Sequence, residues 1–249
     1  MADICKQTIW VTGASSGLGR ALVHALARRD NQVIASARSA EKLEELVDLY
    51  PNHVKCFSCD VTDPGSMAAL ADESPHLDLV LACAGTCEYD DGPEFDLAMY
   101  RRVFEVNFFG AVNSLKVAVP LLKRSSFGGR FAFVGSLSSI APFPRAEAYG
   151  SSKAAVDYLA ETAMIDLKRH GVAVSLVRPG FVDTPLTQKN DFEMPFLMPA
   201  EEAAESVIKG LSKGKAIIDF PGKLSLPIKL LSKSRGFWRN VVAPRMVKA

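Results

Sequence analysis

No run in the 249-residue sequence approaches the roughly 18–20 consecutive apolar residues that a membrane-spanning helix requires. The N-terminus has an early acid at Asp3 and lacks a basic start, a long apolar stretch and a small-residue cleavage site. A secretory leader is therefore not expected, and a cytoplasmic location is. The five cysteines, Cys5, Cys56, Cys59, Cys83 and Cys87, are odd in number and spread over a long chain, which argues against a disulfide framework. Cys56 and Cys59 form a lone CxxC with no second pair or spaced histidine, in a strand-like run that turns them to opposite faces. No metal site is expected. Internal repeats, low-complexity segments and linkers are also missing. With 48% hydrophobic and 23% charged residues, the composition is that of one globular domain spanning 1–249.

Acidic residues are absent after Asp219, although the formal net charge of the whole is only +1. The last 30 residues carry seven bases, Lys223, Lys229, Lys233, Arg235, Arg239, Arg245 and Lys248. The remainder then holds 22 bases against 28 acids, a net of −6. An acidic body argues against general nucleic-acid binding, which needs a basic face to neutralise phosphates.

Apolar runs alternate with longer amphipathic ones. Strands are expected at Thr8–Thr12, Gln32–Ser36, Val54–Cys59, Leu77–Cys83, Arg130–Gly135, Val172–Arg178 and Lys215–Phe220. Helices are expected near Gly17–Arg29, Ala40–Tyr50, Pro64–Glu73, Asp96–Lys123, Ala148–His170 and Ala200–Leu211. This βαβα rhythm predicts an α/β fold: a Rossmann-type, doubly wound parallel sheet of about seven strands, with helices on both faces in three layers. Nearly unbroken apolar strands such as Leu77–Cys83 fit burial on both sides. From about Leu224 the rhythm stops, and 224–249 forms a basic extension.

Between the first strand and first helix lies Thr12-Gly13-Ala14-Ser15-Ser16-Gly17-Leu18-Gly19. Glycines there permit a tight turn and close approach of backbone to a phosphate, and the helix N-terminus supplies N–H donors and a positive dipole end. A nucleotide is the expected ligand. Further on, Tyr149 and Lys153 are four apart at the start of a helical run, on one face and one turn apart. A lysine ammonium beside a phenol lowers the phenol's pKa. Ser136 stands at the carboxyl end of a strand, where ligands bind in open α/β sheets.

These elements form an ordered set: the glycine loop at 12–19, Asp60, Ala84-Gly85, Asn107, Ser136, Tyr149-Gly150-Ser151-Ser152-Lys153, and Pro179-Gly180 followed by Thr184. Over roughly residues 6–220 the sequence resembles the short-chain dehydrogenase/reductase family, in its compact single-domain branch. The resemblance implies Tyr149 as general acid/base and Ser136 as the hydroxyl holding the substrate carbonyl, with Ser138 as second choice. It implies Lys153 as the residue that lowers the tyrosine pKa and holds the nicotinamide ribose, and Asn107 as the anchor of a water in the proton relay. Gly13, Ser15, Ser16, Gly17, Leu18, Gly19, Val61, Ala84, Gly85, Pro179, Gly180 and Val182 would surround the cofactor. Asp60 would meet the adenine and Thr184 the nicotinamide carboxamide. A homo-oligomer, dimer or tetramer, is implied as well. Asn113 matches nothing in the pattern and reads as structural. One departure is Cys83, where the family has an asparagine tying this strand to its neighbour. A small loss of stability is expected there, without loss of cofactor binding.

The implied activity is hydride transfer between a nicotinamide and a carbonyl or secondary alcohol. Its alternatives are a non-catalytic NAD(P) sensor on the same fold and a peripheral membrane enzyme acting on a lipid-like carbonyl. NADP(H) is expected over NAD(H), because no acid appears from Val33 until Glu41, and Arg38 can pair with a 2′-phosphate beside Ser15, Ser16 and Ser39. A largely apolar substrate pocket is expected from Leu186–Pro199, with Phe192, Met194, Phe196, Leu197 and Met198, and from Pro142, Phe143 and Pro144. In 227–249, helical periodicity places Ile228, Leu231, Trp238 and Val242 on one side and Lys229, Lys233 and Asn240 on another, with Pro227 in the first turn. That pattern fits three roles: contact with an anionic membrane, a cover over the pocket or sheet edge, or a subunit contact.

Overall fold

A computed structural model describes residues 3–90 and 94–246 of the chain. Seven parallel strands form one sheet: β1 (Thr8–Thr12), β2 (Gln32–Ala37), β3 (Val54–Ser58), β4 (Leu79–Ala82), β5 (Arg130–Val134), β6 (Ala173–Pro179) and β7 (Ile217–Phe220). Their order is β3-β2-β1-β4-β5-β6-β7. The chain steps outward from β1 to β3, returns to the centre, and then runs the other way. The reversal opens a crevice between the carboxyl ends of β1 and β4, where doubly wound sheets bind ligands.

Alternation along the strands builds two apolar layers, because successive side chains point to opposite faces. Ile9 and Val11 of β1, Val33 and Ala35 of β2, and Leu79 and Leu81 of β4 face one core. Trp10, Ile34, Val80 and Phe131 face the other. The first core is covered by α1 (Gly17–Ala27), through Leu22 and Leu26, and by α6 (Ala200–Ser212), through Val207 and Leu211. The second is covered by α4 (Gly110–Leu122) and α5 (Glu147–Asp166), through Leu121, Val156 and Ala160. Trp10 is buried with its indole N–H donating to Ser36 Oγ at 2.9 Å, so the largest ring in the sheet has its polar atom satisfied.

Several boundaries differ from the sequence expectation. The run 64–73 is two short helices, Pro64–Ala68 and Leu70–Glu73, the first capped by Asp63. The long run 96–123 is interrupted: α3 (Leu97–Phe104) leads through one π turn, Glu105–Phe109, into α4. Local sequence does not signal this extra residue per turn. Its partners are distant: a Cβ on Gly110 would lie 2.7 Å from Val61 Cγ2, and Asn113 donates to the Val61 carbonyl at 2.9 Å. After β7 the chain continues as α7 (Gly222–Ser232), with Pro227 inside it rather than in its first turn. Short helical turns follow to Met246. Among the described residues, no helix is long and apolar enough to cross a membrane.

Candidate active site

The glycine loop lies at the crevice. Gly13 and Gly17 have φ of +66° and +54°, a region that favours glycine. A Cβ on Gly13 would sit 2.8 Å from Ala84 Cα, and one on Gly17 would sit 3.0 Å from Thr184 Cγ2. The loop thus packs directly against the Ala84-Gly85 segment after β4 and against Thr184 after β6. Ser16 stands extended at the N-cap of α1 without bonding back to it. The N-terminal donors are left facing the crevice, a cradle that fits a pyrophosphate.

The tie between β4 and its neighbour is made by Thr12, whose hydroxyl accepts the Ala84 N–H at 3.1 Å. Cys83 takes no part in that tie, and burial pushes its thiol up to about 12. Asp60 uses Oδ1 to accept from both the N–H and the hydroxyl of Thr62 at 2.9 Å. Arg38 is exposed just past β2, and Ser39 is the N-cap of α2 (Ala40–Leu49). Val182 pairs with Met198, and Asp183 with Pro199, which pins both ends of the intervening loop beside Thr184.

Across the crevice, Ser136, Tyr149 and Lys153 come together. The Ser136 Oγ accepts the Ser138 N–H at 3.1 Å and the Ser138 hydroxyl at 3.0 Å. With two donors aimed at its oxygen, the Ser136 proton must point outward, and it bonds to the Tyr149 phenol. Ser138, the second choice for the carbonyl-holding group, instead orients the first. Lys153 is buried and donates to the Val134 carbonyl at 2.9 Å.

The expected lowering of the tyrosine pKa by Lys153 is not the outcome here. Burial raises the phenol above its ordinary value, and the counteracting group is Ser136. Lys153 Nζ lies 5.9 Å from the tyrosine ring centroid, committed to a carbonyl. Burial also acts on the ammonium, lowering it to about 8 against the pull of Cys83, Asp157 and Cys87. The phenol, protonated at neutral pH at its ordinary value, stays so, and the lysine is charged below about pH 8. The buried Asn107 sits in the π turn and clamps Thr86. Its Oδ1 accepts the Thr86 N–H at 2.8 Å, and its Nδ2 donates to the Thr86 carbonyl and to Ser152 Oγ, both at 2.9 Å.

Ser136 and Tyr149 open on a cavity of 810 Å³. Of the residues expected to wall it, Phe143, Pro144, Leu186 and Phe192 do so. Phe196 and Leu197 instead point to solvent, and Met198 packs on the first core. Phe192 is gripped between Tyr89 and Phe181, with ring centroids 5.8 and 6.1 Å away. Tyr89 and Phe181 escaped sequence reading, since both lie in loops without periodicity. The far wall comes from the C-terminal extension: Leu224, Ile228, Trp238 and Met246. Trp238 donates its indole N–H to the Pro142 carbonyl at 2.6 Å and meets Phe143 edge-on at 5.4 Å. The side carrying Ile228, Leu231, Trp238 and Val242 therefore packs on Leu137, Ala141 and Phe143. Of the three roles open to that side, it is a cover over the pocket. Lys248 lies outside the described residues.

The fold and this constellation define a nicotinamide-type oxidoreductase scaffold, and comparison with known proteins agrees. The short chain dehydrogenase family model matches residues 7–194, and the chain belongs to that family. An uncharacterized oxidoreductase of Myxococcus xanthus is 35% identical over 238 residues, covering 92% of this chain and 93% of its own. The benzil reductase ((S)-benzoin forming) of Saccharomyces cerevisiae is 34% identical over 192 residues, 72% of this chain and 73% of its own. A Burkholderia cenocepacia short chain dehydrogenase solved with NADP superposes with a TM-score of 0.84 at 26% identity, over 100% of both chains. A Burkholderia phymatum counterpart solved with NAD shares the fold, with a TM-score of 0.86 at 20% identity over 100% of this chain and 99% of its own. This chain is an oxidoreductase of the short-chain dehydrogenase type.

Proposed function

We propose that the protein is an NADP(H)-dependent carbonyl reductase or secondary-alcohol dehydrogenase acting on bulky, largely apolar substrates. The carrying observation is the Ser136 and Tyr149 pair on an 810 Å³ cavity walled largely by aromatic and aliphatic side chains, with Arg145, Asp191, Glu193 and Arg245 also in its lining. When bound, the cofactor supplies or accepts the hydride. The chain's own residues meet the charge that develops on the substrate oxygen. When a carbonyl enters, Ser136 turns its proton from the Tyr149 phenol to the substrate oxygen and donates one hydrogen bond, and the protonated Tyr149 donates the other and gives up the proton. Such a general-acid step is typically worth ~10²–10⁴-fold in rate.

The protein's own arrangement supports the remaining roles. Gly13, Gly17, Gly19, Leu18, Ser15, Ser16, Ala84 and Gly85 form the wall for the pyrophosphate and ribose, Asp60 and Val61 that for the adenine, and Pro179, Gly180, Val182 and Thr184 that for the nicotinamide. Lys153 serves as the cation for the ribose hydroxyls. Asn107 shapes the turn that carries the proton path. Arg38 and Ser39, with no acid between them and β2, support the 2′-phosphate preference. The yeast relative's activity on benzil, a diaryl diketone by its name, points to aromatic ketones as the class to try first. Exposed Leu97 on α3 and Tyr158 and Ile165 on α5 support self-association as a dimer or tetramer.

Oxidation of NADPH and NADH with a panel of ketones, benzil included, tests the assignment, with Tyr149→Phe as control. Near-complete loss of turnover with cofactor affinity retained is expected in the variant. Near-normal turnover would refute the role of Tyr149, and cofactor binding with no turnover on any carbonyl or alcohol would favour a sensor. A second reading rests on the outer side of α7, where Leu226 and Leu230 are exposed between Lys223 and Lys233 at helical spacing. That side suits an anionic membrane surface, and salt-sensitive binding to anionic over neutral vesicles is its test.

A further inference from the structure

A chain of charges lies behind the serine shelf and is not used in proton transfer. Asp157 follows Lys153 by one turn of α5. Its Oδ2 lies 2.5 Å from the Ser139 hydroxyl, whose single proton is shared between that oxygen and the Ser136 carbonyl at 2.6 Å. Asp157 Oδ2 also lies 3.3 Å from Arg178 on β6, and Arg178 lies 3.0 Å from Asp219 on β7. Asp219 in turn pairs with Lys229 of α7, the helix that walls the cavity through Ile228. Asp157, Arg178 and Asp219 are only 13%, 11% and 6% exposed.

The other Asp157 carboxylate oxygen, Oδ1, makes no hydrogen bond among the described residues and packs on the backbone. A Cβ on Gly135 would stand 2.7 Å from Asp157 Oδ1, so the carboxylate is pressed against the backbone immediately before Ser136. Glycine at that position is explained by the carboxylate and not by a turn, since it has no left-handed φ. One residue therefore touches the Ser136 segment twice, by contact at Gly135 and by hydrogen bond through Ser139.

We propose that Asp157 is a positioning residue for the carbonyl-holding serine. It fixes the Ser136 backbone through Ser139, and it transmits the docking of α7 to that backbone through Arg178, Asp219 and Lys229. The proposal rests on the assignment of Ser136 given above. An ionised carboxylate oxygen shared by Ser139 and Arg178 holds geometry better than neutral hydrogen bonds do, and small displacements at a reacting centre have large effects on rate.

Burial raises the Asp157 carboxyl to about 6, against Ser139 and Arg178, which favour the carboxylate. The charged groups facing it are Arg178 from β6 and Lys153 and Glu161 from its own helix, with Asp219 and Lys229 beyond Arg178. The carboxylate is present above about pH 6 and lost below it, so the hub loosens on the acid side.

The test is NADPH-dependent reduction of benzil, followed from pH 5 to 9, in wild type and in Ser136→Ala, Asp157→Asn, Asp157→Glu, Ser139→Ala and Lys229→Met. Asp157→Asn should lower kcat about tenfold, as expected for weakening one charge-assisted hydrogen bond at the site, with the KM for NADPH unchanged. The wild-type kcat should fall below about pH 6, and this acid limb should vanish in Asp157→Asn. Asp157→Glu should recover part of the rate. The Ser139→Ala and Asp157→Asn losses should not multiply in the double variant, because they break one path. Lys229→Met, outside the cavity lining, should lower kcat less and raise the KM for benzil. An unchanged kcat and acid limb in Asp157→Asn, or multiplying losses, would overturn the proposal. If Asp157→Asn fails to fold, Ser139→Ala with unchanged kcat overturns it. A Ser136→Ala enzyme with normal turnover would instead sink the assignment of the site itself.

Discussion

Truncating Trp238 to alanine should open the cavity without unfolding the body. The indole is 2% exposed and packs with Leu137, Ala141 and Ile228. Removing a buried Trp side chain typically costs about 3–5 kcal/mol. Within that figure, the edge-on pair with Phe143 contributes about 0.5–1.5 kcal/mol. The orphaned Pro142 carbonyl adds toward the low end of about 1–3 kcal/mol, because Pro142 itself is exposed and water can replace the indole. A loss of about 3 kcal/mol shifts a docking equilibrium by roughly 10²-fold. The four buried residues of this cluster form a patch apart from the two cores that sandwich the sheet, so the loss falls on tail docking. Limited trypsin digestion reads it directly, since Lys223, Lys229, Lys233, Arg235, Arg239 and Arg245 all lie in the tail. Tail cleavage should accelerate at least about tenfold, a conservative fraction of the shift in docking. The KM for an apolar ketone should rise, and cofactor affinity should stay put. Unchanged cleavage and unchanged KM would show that the tail does not close the site.

Two further outcomes follow from charge. Burial disfavours the Lys153 ammonium, so its proton is lost as pH rises through about 8, well below the ordinary lysine value. NADPH affinity measured by fluorescence should accordingly weaken above about pH 8, and a flat profile to pH 10 would contradict the assignment of Lys153 to the cofactor. Arg38→Ser should lower kcat/KM for NADPH by about tenfold or more, the worth of a charge-assisted hydrogen bond, while leaving that for NADH alone. Equal losses with both cofactors would remove Arg38 from the 2′-phosphate.

The sheet was legible because buried parallel strands leave a strong signature. Ile9, Trp10 and Val11 are consecutive and all buried, as a strand in a sheet covered on both faces allows. Loop chemistry was legible where residue type and place coincide, as at Gly13, Ser136, Tyr149 and Lys153. The π turn at Asn107 was not, because the contacts that accompany it are tertiary: Gly110 and Asn113 pack on Val61, some fifty residues away. The direction of the tyrosine shift was also hidden. Spacing of four places Lys153 on the correct face, but it does not say that the ammonium will spend itself on the Val134 carbonyl. Nor does it show that burial will be the largest influence on the phenol.

The C-terminal extension shows the same limit from the other side. Its periodicity separates Ile228, Leu231, Trp238 and Val242 from Lys229, Lys233 and Asn240, and the structure keeps that separation: the first set is turned inward and the second is exposed. An amphipathic helix needs an apolar surface to bury one face, and a lipid surface and a protein pocket satisfy that need equally. What decides is the body. The segment between Ser136 and Tyr149 offers Leu137, Ala141 and Phe143 as a floor, and the Pro142 carbonyl as the acceptor that the indole requires. Those residues lie beside the reacting groups. The helix that they hold therefore becomes a wall of the cavity, and Lys229 on its outer side ties that wall to the charges behind Ser136.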